Sequence, residues 1–434
     1  MDKAKIVKIV PVLFLLLIGQ AAANGYLFSQ TDTISEASSL DDLLAVAALN
    51  NPGLQAAFFR WQAVLESTAQ ASALPNPLFT FAYFIQEVET RVGPQQSKIG
   101  IMQMFPWFGK LKLKGKSALE AAKSSGQIYE QTRFNLFYNV KNYFYEYYYI
   151  YKNIGIVEEN IRLLETLSAA IQAKYRSGIA SYADLIKIQL EKDVLGDQLR
   201  SARERLIPIR SKLNSILNRD AKARLPIPQQ ISFSQKTPSE AQLLAWLREN
   251  SPELRSLEFM ASKAEIDIKL AKRNYFPDVS LGVDYIITGE AAMAGVADSG
   301  KDPIAAMIQI SLPVWFSKNK AGVSMARANL KAAENQKRER ENNLLAELEM
   351  VFFNYNDAAQ KTILYRDTLL VQARQVAKVV EEAYKSGKAD ILNLIDSQRM
   401  LLDIELKYER SLATQAQKLA ELEMLVGRDL RQGE

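Results

Sequence analysis

Chemistry in this chain has to be done without imidazole or thiol, because the sequence contains no His and no Cys. That removes disulfides, thiol nucleophiles, zinc fingers and every catalytic triad built on imidazole. Carboxylates are plentiful, yet neighbours such as Glu381-Glu382 and Asp41-Asp42 have no nucleophile or glycine-rich phosphate cradle beside them and read as solvated faces. Met102 and Met104, two apart on one strand face, could offer thioethers to a soft metal, but two Met without Cys or His are more often packed or lipid-facing. No enzymatic activity, metal or cofactor is expected. The polar residues that remain as candidates are Asp184, Asn393 and Asp396. In a symmetric assembly, copies of Asp184 and Asp396 would approach one another as a ring that repels itself or collects cations. In a lone chain they are acidic residues in the first turns of two helices, where the helix dipole favours them.

Those residues lie within two segments that nearly repeat each other, "AKYRSGIASYADLIKIQ" from Ala173 and "EAYKSGKADILNLIDSQ" from Glu382. Both interrupt a long helical pattern. Gly178 and Gly387 fit the left-handed position that ends a helix, and Ser181 and Asp390 fit the caps that start the next one. Tyr175, Arg176, Ser177 and Gly178, with Tyr384, Lys385, Ser386 and Gly387, are thus expected to be two helical hairpin tips. If tips from several chains converge, they also make a gate and a docking surface.

The elements behind the tips form an internal repeat. Pro252 and Pro277 reproduce the separation of Pro52 and Pro77. After each second proline come two strand-like runs, "LFTFAYFI" and "SKIGIMQMF" in the first copy, "VSLGVDYII" and "IAAMIQISL" in the second. In the latter, Val279, Leu281, Val283, Tyr285 and Ile287 share one face and Ser280, Gly282 and Asp284 the other. Then come "PWFGK" and "PVWFSK", and a long helical stretch. The cluster Trp107, Phe108, Trp315 and Phe316 beside Lys110 and Lys318 has the composition of a membrane-interface belt, with ordinary core aromatics as the rival reading. The proline-free stretch from Ser117 to Lys174 carries interleaved heptad series and would be on the order of 85 Å long. The series Leu394, Leu401, Tyr408, Gln415, Leu422 and Ile391, Gln398, Glu405, Leu412, Leu419, Val426 has polar interruptions, which suits a helix with one side on neighbours and one side to water.

The expected organisation is a signal peptide over 1–23, repeat one over 24–220, a linker over 221–239, repeat two over 240–427 and a tail over 428–434. Repeat one has helices over 39–74, strands over 78–85 and 97–105, and long helices over 111–175 and 182–218. Repeat two has helices over 240–274, strands over 279–287 and 304–312, and long helices over 319–384 and 390–427. The signal rests on Lys3, Lys5 and Lys8, the short apolar run "IVPVLFLLLIG" and small residues at Ala21 and Ala23. That run falls short of the ~20 residues a retained membrane anchor needs.

A charge of +5 on 434 residues, with no basic stripe joined to stacking aromatics, argues against nucleic acid as a partner. Strands of about nine residues match the ~9–11 needed to cross a bilayer. Four cannot close a barrel, and an open edge in hydrocarbon leaves backbone groups unsatisfied. The strands are therefore either soluble hairpins, as in a periplasmic or surface coiled-coil scaffold, or one chain's share of an oligomeric barrel.

The ordered pairs "NPGLQAA" and "NSPELRS", "PNPLFTFAY" and "FPDVSLGVD", "FPWFGK" and "LPVWFSK", and the two Tyr-Xaa-Ser-Gly tips resemble the TolC-like outer-membrane efflux proteins. Within them the chain is most similar to outer-membrane components of heavy-metal-type (RND) tripartite systems. The resemblance covers essentially the whole mature chain. It implies a fold of all-α long helical hairpins plus a membrane β-barrel: a homotrimer with a twelve-stranded outer-membrane barrel, four strands per chain, continued by a periplasmic α-helical barrel. It further implies a passive, gated exit duct embedded in outer-membrane lipid. Its partners would be a periplasmic adaptor (membrane fusion) protein that docks on the tips and an inner-membrane efflux transporter. It places Asp184, Asn393 and Asp396 at the periplasmic aperture. Asn393 departs there from the family's paired carboxylate, which weakens the expectation of an acidic ring.

Overall fold

The computed structural model describes residues 39–227, 231 and 238–430. The expected signal peptide and parts of the linker and tail lie outside them. The described helices are α1 (Leu40–Asn50), α2 (Pro52–Ser72), α3 (Lys110–Arg176), α4 (Tyr182–Ile216), α5 (Glu240–Asn250), α6 (Pro252–Arg273), α7 (Phe316–Leu364), α8 (Leu370–Lys385) and α9 (Ile391–Val426). The strands are β1 (Leu78–Thr90), β2 (Gly93–Phe105), β3 (Asp278–Thr288) and β4 (Ile304–Ser311). Among the described residues no helix is long and apolar enough to cross a membrane.

Local chemistry explains the boundaries. Ser39 and Ser239 cap α1 and α5 through capping boxes with Asp42 and Gln242. Pro52 and Pro252 open α2 and α6, where a missing N–H costs nothing. The helix expected over 319–384 instead starts at Phe316 and is divided: Tyr365–Leu369 form a π-helical segment between α7 and α8, an insertion that a heptad pattern does not reveal.

The chain forms two compact units. One comprises Met1–Pro52, Leu136–Gln235 and Phe352–Glu421, and the other Gly53–Asn135, Lys236–Val351 and Leu422–Glu434. The first is helical. One of the two heptad series in α3 supplies its spine: Val157, Leu164 and Ile171 are buried with Ile188 and Leu195 of α4 and Ile391, Leu394 and Leu402 of α9. Contrary to the expected water-facing stripe, Gln398 and Gln415 of α9 are buried as well. Polar cross-links tie the same helices. Arg410 donates to Glu146 at 2.6 Å and lies 3.5 Å from the centre of the Tyr149 ring, while Arg205 donates to Glu146 at 2.8 Å.

The second unit carries one antiparallel sheet in the order β1-β2-β3-β4. β1 and β2 run 13 residues each, past the expected ends, because beyond a register irregularity after Tyr83 the ladder resumes with Val88, Glu89 and Thr90 opposite Gln95, Pro94 and Gly93. Below the sheet, Ser117 donates to Asp267 at 2.5 Å and Arg340 grips Glu253 at 2.7 and 2.8 Å.

Candidate functional site

In the helical unit the two repeated segments have the same backbone chemistry. Gly178 and Gly387 are left-handed, with φ of +73° and +76°. Ile179 N–H reaches the carbonyl of Lys174 at 2.8 Å and Gly178 N–H that of Tyr175 at 3.0 Å; Lys388 and Gly387 repeat both bonds onto Ala383 and Tyr384 at 2.8 and 3.1 Å. These are Schellman caps. The serines complete them: Ser177 Oγ donates to the carbonyls of Ala173 and Lys174, and Ser386 Oγ to those of Glu382 and Ala383. The shared Tyr-Xaa-Ser-Gly sequence is therefore largely accounted for by closing a helix.

The returning helices start with side-chain caps. Ser181 and Asp184 form a reciprocal capping box, and the N–H of Asn393 donates to Asp390 at 2.8 Å. Asp184 is thus engaged with its own backbone rather than held free. Asp396 is exposed, with Arg399 3.8 Å away, and the Asn393 side chain is exposed beside it.

Three further features join the tips. Lys174 lies 4.2 Å from the centre of the Tyr384 ring and donates to the Tyr384 carbonyl at 3.4 Å, which links the end of α3 to the end of α8. Burial pushes the Tyr384 phenol up, and the Asp184 charge adds to that rise. Arg399 also donates through Nε and Nη2 to Glu191, whose side chain is almost completely buried, and so pins α9 to α4. Sequence reading missed this pair, because no local pattern connects residues 208 positions apart. The tip surfaces differ: the first exposes Tyr175, Ile179 and Tyr182, whereas the second exposes Lys385 and Lys388.

In the sheet unit the register sorts the side chains into two faces. Phe79 and Phe81, Ile99 and Ile101, Val283 and Tyr285, Ile304 and Ile308 share one face and are all exposed in the protomer. The opposite face carries Thr80, Lys98, Gly100, Ser280, Asp284 and Gln309, together with Met102, Met104 and Met307. The methionines therefore lie away from the apolar face. Lys98 pairs with Asp284 across β2 and β3, and Asp284 leans over Gly100, where any Cβ would strike its carboxylate.

At the foot of the sheet, Trp107 and Phe276 stack at 5.4 Å and the Trp107 N–H donates to Asp278 at 2.7 Å. Phe108, Trp315 and Phe316 are open to the surroundings. Lys110 is not a surface anchor: it is buried, donating to Asp278 at 2.8 Å and to the Phe276 carbonyl at 3.2 Å. Among the described residues, no group of three or more His, Cys, Asp or Glu is arranged to hold a metal ion.

The profile of the family described as Outer membrane efflux protein matches residues 43–208 and again 243–428. The chain belongs to the outer membrane efflux protein family. As a member of that family it is an outer-membrane protein with a periplasmic extension. Among the family's proteins, it is 24% identical over 377 residues to the "Probable efflux pump outer membrane protein TtgC" of Pseudomonas putida, covering 83% of this chain and 75% of that one. Its fold is similar to the outer membrane protein VceC of Vibrio cholerae, with a TM-score of 0.74, 16% identity, and coverage of 90% and 96% of the two chains. It is also similar to CusC, with a TM-score of 0.77, 15% identity, and coverage of 90% and 92%.

Proposed function

We propose that this outer membrane efflux protein is one third of a homotrimeric exit duct, each chain giving four strands to a twelve-stranded barrel continued by a helical tunnel in the periplasm. The observation that carries the proposal is the sheet: one face is apolar and exposed along all four strands, and β1 and β4 have open edges. Hydrocarbon tolerates the first and forbids the second, so neighbouring copies must pair with both edges. One chain has too few strands for a barrel, since single-chain bacterial barrels start at about eight. Three copies give twelve strands, the number the family resemblance implies. The double match of the family profile supports an internal duplication.

In this reading the duct is passive, and energy and selection come from an inner-membrane transporter linked by a periplasmic adaptor. The tips dock on those partners. Tyr175, Arg176, Ser177 and Gly178 form one docking tip and Tyr384, Lys385, Ser386 and Gly387 the other, and their unequal surfaces give two different contacts. Asp184, Asn393 and Asp396 line the aperture, with Glu191–Arg399 as the brace behind it. Trp107, Phe108, Trp315 and Phe316 mark the inner membrane edge. The cargo class is metal ions or small toxic compounds; the heavy-metal subtype rests on sequence resemblance alone. The test is extraction. The protein should leave membranes only with detergent and have the mass of a trimer; a soluble monomer would support the coiled-coil scaffold instead.

A further inference from the structure

Four segments join strands and helices in the sheet unit, and three of them are basic; the fourth, residues 73–77 from α2 into β1, carries no charge. Residues 106–119 lead from β2 into α3, residues 268–277 lead from α6 into β3, and residues 312–326 lead from β4 into α7. None contains an Asp or Glu, although the chain as a whole has 49 acids against 54 Lys and Arg. Lys112, Lys114 and Lys116 are exposed in the first, Lys269, Lys272 and Arg273 in the second, and Lys318 and Lys320 in the third.

Three carboxylates beside these segments are already occupied, and Glu265, four residues before Lys269 on α6, is the exposed one that remains. Asp278 is held by buried Lys110 and the Trp107 N–H, Asp267 by Lys263 and Ser117, and Glu120 by Lys123. Local energetics do not favour the cations either. Lys112, Lys114, Lys318 and Lys320 lie in the first two turns of α3 and α7, where the helix dipole prefers acids and neither first turn has one. Lys112 and Lys116, four apart on α3, repel each other. Lys272 and Arg273 are ordinary last-turn residues by comparison. An external anion relieves this cost.

Position identifies that anion. The collar continues directly from the exposed Phe108, Val314, Trp315 and Phe316 and from the apolar face of the sheet. Lys116 is six residues into α3 and Lys320 four into α7, so each lies within ~10 Å along its helix of the first residue. That is comparable to the ~8 Å Debye length at physiological salt.

We propose that this collar binds the anionic phosphate headgroups of the leaflet facing the helices, and so selects acidic glycerophospholipid around the barrel foot. The inference rests on the membrane reading of the sheet. A basic residue near an anionic membrane surface is worth about 1 kcal/mol, or about five-fold in association. The experiment reconstitutes the full-length protein in vesicles of phosphatidylcholine and phosphatidylglycerol in equal parts and reads the protein-bound fraction of spin-labelled forms of each lipid. Wild type is expected to hold phosphatidylglycerol at least five-fold over phosphatidylcholine at low salt and to lose that preference at molar salt. The variant K112Q/K114Q/K116Q/K269Q/K272Q/R273Q/K318Q/K320Q is expected to hold both equally. Equal association in wild type at low salt overturns the proposal and leaves an acidic protein as the collar's ligand. A preference unchanged by salt, or retained in a folded variant, overturns it too. Conductance of the same wild-type preparation separates the claims, since a conducting channel with no lipid preference overturns the collar alone.

Discussion

Replacing Arg399 with Ala leaves the Glu191 carboxylate without its partner between α4 and α9. Glu191 has a side-chain exposure of 6% and accepts from Arg399 Nε at 2.8 Å and from Nη2 as well. Stripping the partner from a fully buried ion costs about 3–5 kcal/mol. Here the Arg399 side chain is 54% exposed, so water can enter the vacated space. The expected loss then falls to the about 1.5–3 kcal/mol of hydrogen bonds to a charged group. Local opening should become roughly ten- to a hundred-fold more frequent. Amide hydrogen exchange read on peptides covering residues 182–200 and 391–405 reports this directly, with the peptides of α1 as an internal reference. Glu191→Gln keeps an acceptor and removes the charge, so it should lose less, and combining it with Arg399→Gln should reveal coupling between the two sites. Unchanged exchange in Arg399→Ala, or additive effects in the double variant, would refute the claim that this pair braces the tips.

Other perturbations have equally definite outcomes. Gly387→Ala forces a side chain into a backbone with φ of +76° and should cost about 1–2 kcal/mol, read as faster amide exchange at the second tip while the first is unaffected. Burial pushes the Glu405 carboxyl up, and the charges of Glu159 and Glu409 add to the rise while Arg374 opposes it. Because its folded pKa exceeds the unfolded one, ionised Glu405 destabilises the fold above that folded value, and the penalty fades as pH falls through it. Glu405→Gln should therefore raise the thermal midpoint at neutral pH, with the gain shrinking in acid; a gain that grows in acid contradicts the assignment. Gly100→Ala places a methyl on the Asp284 carboxylate and breaks its pairing with Lys98, so the detergent-solubilised protein should lose about 1–3 kcal/mol in stability, read as a lower melting temperature.

The sequence was most readable where chemistry is local. The alternation in β3 is the signature of a sheet with unlike faces, and Ser181, Asp390, Gly178 and Gly387 announce caps that need only their own neighbours. Where the deciding partner is distant in the chain, the pattern misled or was silent. Lys110 looked like a surface cation beside aromatics, but Asp278, 168 positions away in the chain, draws it inside. Gln398 and Gln415 looked like water-facing interruptions, yet both are buried. The extra residue of the π segment changes no hydrophobic count, and the Glu191–Arg399 brace needs α4 and α9 side by side before it exists.

Planar-bilayer recording of the purified, detergent-solubilised protein distinguishes a duct from a scaffold. Discrete, stepwise increases in ionic current are expected, each insertion adding one water-filled duct. A trimer that enters the bilayer and passes no current would contradict the duct.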